Sequence, residues 1–137
     1  MSLKIVFVLL HVLTAAAYFG LSLTLPNWAR ALAGARTDVA AQGSRTVRSM
    51  TGALLATVVF ALTAFLIGGG FGFYGPTFHA SLGLILLLVG VHFAMIVPAW
   101  NRLAAGDDTA RGRLGMATGL AHTLWLVLLV LMFWPRL

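Results

Sequence analysis

With 137 residues, 61% of them apolar, 9% charged and a mean hydropathy of +0.99, the chain falls far short of the roughly 25% charged residues carried by a domain that faces water on all sides. An ordinary soluble domain is excluded, and an integral membrane protein is implied. The formal net charge of +6 then speaks for membrane orientation rather than for nucleic acid, and the lack of cysteine excludes disulfides, thiolate metal sites and CxxCH haem attachment.

Four apolar runs predict helices over residues 4–25, 49–69, 77–100 and 114–134, each near the ~20 residues needed to cross a hydrocarbon layer of ~30 Å. The first run follows Met-Ser-Leu-Lys, as a cleaved leader would, and Ala15-Ala16-Ala17 offers a small-residue cleavage pattern. It continues unbroken through Leu25, however, which predicts a retained transmembrane helix. Pro26 closes it, Asn27-Trp28 suits an interfacial girdle, and Trp28–Leu32 fits a short helix along the headgroups. Residues 34–45 have little that could form a core, so they form a connection or an extension of the second helix.

The second run reaches membrane-spanning length only with Ser49 and the glycines at 68–70 included. Gly68 to Pro76, rich in glycine and aromatic residues, reads as a tight turn, with Pro76-Thr77 opening the next helix. In the third run, residues 82–97 lack the period-two polar alternation of a barrel strand. Asn101–Arg113, with Asp107-Asp108 between Arg102 and Arg111, reads as a solvated loop before the fourth run. Connections this short make consecutive helices antiparallel, so the expected fold is all-α, a four-helix up-and-down bundle forming one transmembrane domain over 1–137.

Arg30, Arg36, Arg45 and Arg48 flank the first connection and Arg102, Arg111 and Arg113 the third, whereas Lys4 and Arg136 mark the other side. The positive-inside rule puts the arginines in the cytoplasm and both termini outside, in a bacterial cytoplasmic (inner) membrane.

The four histidines carry the functional expectation. His11 lies in the first helix, His79 and His92 in the third, His122 in the fourth. Ionisable groups are costly in lipid and usually face the bundle interior, and neutral imidazole is an axial ligand of haem iron. His92 and His122 each lie eight residues, about 12 Å, from the cytoplasmic ends of their helices and form an expected level pair. His11, about 10 Å from the outer side, and His79, about 3 Å below its helix start, form a less well matched outer pair. Thirteen steps of about 100° separate His79 and His92 by ~20 Å in height and ~140° in rotation, so they face different neighbours.

Gly112, Gly115 and Gly119 near His122, with Gly83 and Gly90 on the third helix, form small-residue stripes suited to close approach by a macrocycle or another helix. Arg45 and Arg48 are candidate partners of haem propionates, with Arg102, Arg111 and Arg113 as alternatives; lipid phosphate contact is the competing role. Met50, Met95 and Met116 around His92 keep a copper site open. The helices hold no Asp or Glu for a proton relay.

Two segments carry a resemblance. Phe78-His79-Ala80-Ser81-Leu82-Gly83-Leu84 through Gly90-Val91-His92, and His11 followed by Ala15, Gly20, Leu25 and Pro26, resemble the third and first helices of the HemJ-type protoporphyrinogen oxidase family. The resemblance implies haem b and a porphyrinogen-oxidising activity. Ser81 stands where that family has Lys, Asn27-Trp28 follows Pro26 where it has Arg, and the fourth helix opens Arg113-Leu114-Gly115-Met116 without the family's Asn-Glu motif. A looser likeness joins the chain to copper-resistance D membrane domains.

The expectation is therefore a membrane redox protein with one or two haem b groups, passing electrons through bis-His iron to or from a quinone or a respiratory partner, in contact with membrane lipid and not with nucleic acid. Cofactor-binding candidates are His11, His79, His92, His122, Arg45 and Arg48, the histidines being the metal ligands. A protoporphyrinogen oxidase-like enzyme, a copper-binding membrane protein and a cofactor-free accessory subunit are the competing readings, and an oligomer is compatible with each.

Overall fold

A computed structural model describes residues 2–32, 37–70 and 75–133, the side chains of Thr37 and Phe133 excepted. The chain folds into α1 (Leu3–Ser22), α2 (Leu25–Leu32), α3 (Thr37–Ile67), α4 (Pro76–Val91), a π-turn over His92–Ile96, α5 (Val97–Ala104) and α6 (Ala110–Phe133). Four stretches, Leu3–Leu32, Asp38–Ile67, Pro76–Ala104 and Ala110–Met132, are long and apolar enough to cross a membrane. The protein is an integral membrane four-helix bundle, all-α as the hydropathy pattern predicts.

The ends differ from expectation for local reasons. The first helix stops at Ser22 rather than at residue 25, and the chain restarts at once as α2, with Pro26 in its first turn, where a missing N–H costs nothing. The second is longer, because polar residues 37–48 continue it beyond the apolar run. It also ends earlier, at Ile67, since Gly69 and Gly70 take φ of 107° and 63°, open to glycine but strained for other residues. Pro98 lies two residues beyond His92–Ile96; its ring cannot donate and crowds the carbonyl four residues back, and the helix widens there, the Val97 N–H reaching the His92 carbonyl. The expected positions Arg36, Phe71–Tyr74, Trp134 and Arg136 lie outside the described residues.

α1 packs chiefly on α3, and α4 chiefly on α6, while the α3 and α4 backbones stay apart and the Phe65 and Phe78 rings stack between them at 4.8 Å between centroids. At the end where the arginines lie, these two pairs are brought together by α2, the π-turn and α5, around fully buried Leu25, Met50, Ile96, Trp100 and Leu114. Gly43 makes this possible, since a Cβ there would sit 2.1 Å from the Trp100 ring. The indole N–H of Trp100 donates to Ser44 Oγ at 3.0 Å, so the largest side chain of the core is also satisfied. Leucines such as Leu13, Leu66 and Leu86, each about two-thirds exposed, form the lipid-facing outside.

Candidate functional site

At the end opposite the arginines α1, α3, α4 and α6 wall a cavity of about 610 Å³, with the stacked rings of Phe65 and Phe78 joining the helix pairs in its lining. Its walls are mainly apolar, with Leu54, Leu82, Ile85 and Leu128 among them, and its polar groups include Lys4, His11 and Thr57. Tyr18 closes it toward the packed end. Lys4, His11 and Tyr18 recur every seven residues of α1, two helical turns that return to nearly the same face, an alignment readable in the sequence itself.

His11 is the histidine that lines this cavity. Its Nδ1 lies 3.0 Å from the Thr57 carbonyl oxygen. A carbonyl can only accept, so Nδ1 carries a hydrogen, and in the neutral tautomer with that hydrogen the lone pair is on Nε2. A backbone carbonyl fixing one ring nitrogen while the other stays available is the usual support of a metal-bound histidine. The Thr57 hydroxyl, 3.0 Å from that of Thr14, ties the same turns of α3 and α1 together, so the ring is mounted on a braced pair of helices.

The other histidines are used differently. The His92 ring is fully buried at the start of the π-turn. The Thr51 hydroxyl donates to the Val47 carbonyl at 3.0 Å, so the 2.8 Å contact with His92 Nε2 has the ring nitrogen donating. His92 Nδ1 then accepts from the Tyr18 hydroxyl at 3.4 Å. Both ring nitrogens are engaged, and the imidazole joins α1, α3 and α4. His122 follows the same logic: Ser22 Oγ donates to the Phe19 carbonyl at 2.7 Å and receives the His122 Nε2–H at 2.9 Å. Their partners on α1, Tyr18 and Ser22, are four residues or about 6 Å apart, so the two rings of the expected level pair are tied to different hydroxyls of α1. His79 is exposed, its ring edge-on to Phe78 at 6.4 Å between centroids, and lies outside the cavity lining.

The arginine and glycine expectations meet a different geometry. Arg45 and Arg48 are exposed on α3, about 18 and 14 Å along the helix from Thr57 on the side away from the cavity. The cation at the cavity is Lys4, half-buried. Gly83, Gly90, Gly112, Gly115 and Gly119 do not serve close approach inside this chain: all five are exposed, and a Cβ on any of them meets no atom within 4 Å. Of the copper candidates, Met50 is fully buried while Met116 is 62% exposed, so they face opposite ways. Among the described residues no cluster of three His, Asp or Glu could hold a metal ion.

A second, smaller recess of about 260 Å³ lies between α1 and α6, where Ala15 and Ala16 are too small to fill the gap. His11, Trp125 and Met132 line both spaces and form the partition between them. Comparison with protein-family models, with curated proteins and with solved structures finds no match to this chain.

Proposed function

We propose that this chain is a b-type haem protein of the membrane, in which the 610 Å³ cavity would hold the macrocycle and His11 would bind its iron. The observation that supports the reading is the His11 imidazole at the cavity, its Nδ1 held by the Thr57 carbonyl, so that Nε2 would be the nitrogen left to coordinate. Two further features of the site fit the group: the walls are those of an apolar pocket, and Lys4 offers a propionate the charge assigned to Arg45 and Arg48 from sequence. Bound there, haem would supply one-electron redox chemistry. The residues of the chain do the rest: Thr57 sets the tautomer, Tyr18 closes the floor, and the leucine walls exclude water.

His79, His92 and His122 do not line the cavity, so one protein imidazole, rather than a bis-His pair, belongs to this reading. Electron exchange with a quinone or a respiratory partner needs no second protein imidazole, and a single one is compatible with the porphyrinogen-oxidising activity that the family resemblance implies. The arginine end faces the cytoplasm of a bacterial cytoplasmic membrane in this proposal, with both termini outside. Pyridine-haemochrome and metal assays on one haem-replete preparation, with a reduced-minus-oxidised spectrum, test it; a correctly folded sample without Soret and alpha bands rejects it.

A second reading has its own support in the saturated hydrogen bonds of His92 and the anchored ring of His122. Under it the chain is a cofactor-free subunit whose histidines clamp helices together. The same preparation separates the two, because this reading requires neither haem nor copper.

A further inference from the structure

We infer that the cavity leaves the iron of the proposed haem one coordination position that no side chain fills, facing an aliphatic wall on α4 and suited to a small neutral diatomic molecule. Given the haem reading, on which this rests, the wall that matters is the one across the space from His11. α1 packs on α3 and meets α6, whereas the α1 and α4 backbones stay apart. α4 is therefore the wall that a group bound to His11 meets on its far side.

Height along the bundle selects the residues on that wall. The Phe65 and Phe78 rings stack 7° from parallel, which makes these positions of α3 and α4 level. Thr57, whose carbonyl holds His11, lies eight residues or ~12 Å before Phe65. Consecutive spans run antiparallel, so the same height on α4 is eight residues after Phe78, at Leu86. Leu82, Ile85 and Leu88 are the cavity-lining residues of α4 within about one turn of it, and all three are aliphatic. The wall's two hydroxyls lie further out, Ser81 and Thr77 being about 6 and 12 Å along the helix from Ile85. Ser81 donates to the Thr77 carbonyl at 3.0 Å.

The other side chains at the cavity that could bind iron stand on the His11 side. Lys4 and Tyr18 share its face of α1, and the Tyr18 hydroxyl is held by His92. Met132 lies beside His11 in the partition toward the smaller recess. Haem iron takes imidazole, thiolate, thioether or phenolate from a protein, and the α4 wall offers none of these, His79 lying outside the lining. What enters such a position is decided by the polarity and donors around it. Water would find no acceptor on this wall, and an anion would bring a charge that hydrocarbon does not solvate. A neutral diatomic such as carbon monoxide needs neither.

The test is carbon monoxide added to the reduced, haem-replete full chain in nanodiscs, with electron paramagnetic resonance of the ferric form. The parent should be high-spin, and carbon monoxide should shift its Soret and alpha bands. Ile85→His places a second imidazole on the facing wall and should convert the iron to a low-spin state that carbon monoxide enters only as that imidazole leaves. Leu82→Gln puts an amide donor there and should tighten azide binding to the ferric form about two- to tenfold, as one hydrogen bond would. A parent that holds haem but is low-spin, or whose bands carbon monoxide leaves in place, overturns the open position while the haem reading stands. Haem-loaded variants that both behave as the parent overturn α4 as the facing wall. A folded parent without haem rejects the haem reading and this inference with it.

Discussion

The two ends of this bundle are made of the same apolar residues and are packed in opposite ways. At the arginine end Trp100 lies so close to α3 that position 43 has no room for a Cβ, and the buried histidine ring has both nitrogens paired. At the other end four helices surround about 610 Å³ of space, and the histidine that lines it keeps one nitrogen in reserve. Helices in lipid gain little from excluding water, so close packing and interhelical hydrogen bonds hold them together. An unfilled interior loses dispersion contacts with nothing to offset the loss. The packed end is thus the part that holds the bundle, and the hollow end is the part with room for chemistry.

The sharpest way to break that division is His11→Ala. If the hollow end is the haem site, the variant should fall from one haem per chain to none while its circular dichroism and thermal unfolding stay near the parent's. Retention of full haem by a folded His11→Ala protein would move the ligand elsewhere and remove the contrast between the ends. Lys4→Gln should weaken haem retention far less, since it alters a contact at the periphery of the group rather than the bond to iron.

His92→Ala should do the converse. It removes two interhelical hydrogen bonds, each worth ~0.6 kcal/mol on average in a membrane protein, and it leaves a void in a filled region. A loss of about 2 kcal/mol is expected, read as a lower unfolding midpoint in detergent with haem stoichiometry unchanged. A variant that loses haem in proportion to His92 content would restore the bis-His expectation. Gly43→Ala probes the same end with a smaller net effect. Overpacking against Trp100 costs ~1–3 kcal/mol, and the gain of ~1 kcal/mol in helix propensity offsets part of it, for a net loss of about 1 kcal/mol. Replacing Trp100 by Leu in the same chain should turn the Gly43→Ala change from destabilising to neutral or better.

How much of this was legible follows from what hydropathy measures. It reports where a helix crosses hydrocarbon, and so it located all four spans. It says nothing about helix that continues into water, which is why the sequence leaves residues 34–45 open between connection and extension. The heights of the histidines could be read from residue counts along each helix, but not their partners. Tyr18, Thr51 and Ser22 reach His92 and His122 only once α1 and α3 have taken a particular register and rotation, which is a tertiary fact. The same holds for the glycines at 83, 90, 112, 115 and 119: helical spacing put them on stripes, and only packing decided that those stripes face outward. Pro98 and the seven-residue recurrence of Lys4, His11 and Tyr18 were readable signals. The first forecasts the disturbed helix at His92–Ile96, and the second the polar line along the cavity wall.

The smallest expected effect lies at the extreme of the packed end, in the loop from α5 to α6. Asp107 accepts from the Thr109 hydroxyl and from the Thr109 N–H at 3.1 Å, and pairs with Arg102 at 2.6 Å. The Thr109 hydroxyl first, then Arg102, hold its carboxyl below the ordinary carboxylate range. A depressed folded-state value means that the loop's extra stability is fully present above the unfolded carboxylate value of ~3.9 and is lost as pH falls through the folded one. Protection of the Thr109 amide, corrected for intrinsic exchange, should be flat from neutral pH down to about 5 and decline below about 4. Asp107→Asn should remove that pH dependence. Because the group is solvated, the bundle's unfolding midpoint should barely move; a large shift would mean that this loop, and not the Trp100 and His92 packing, locks the filled end.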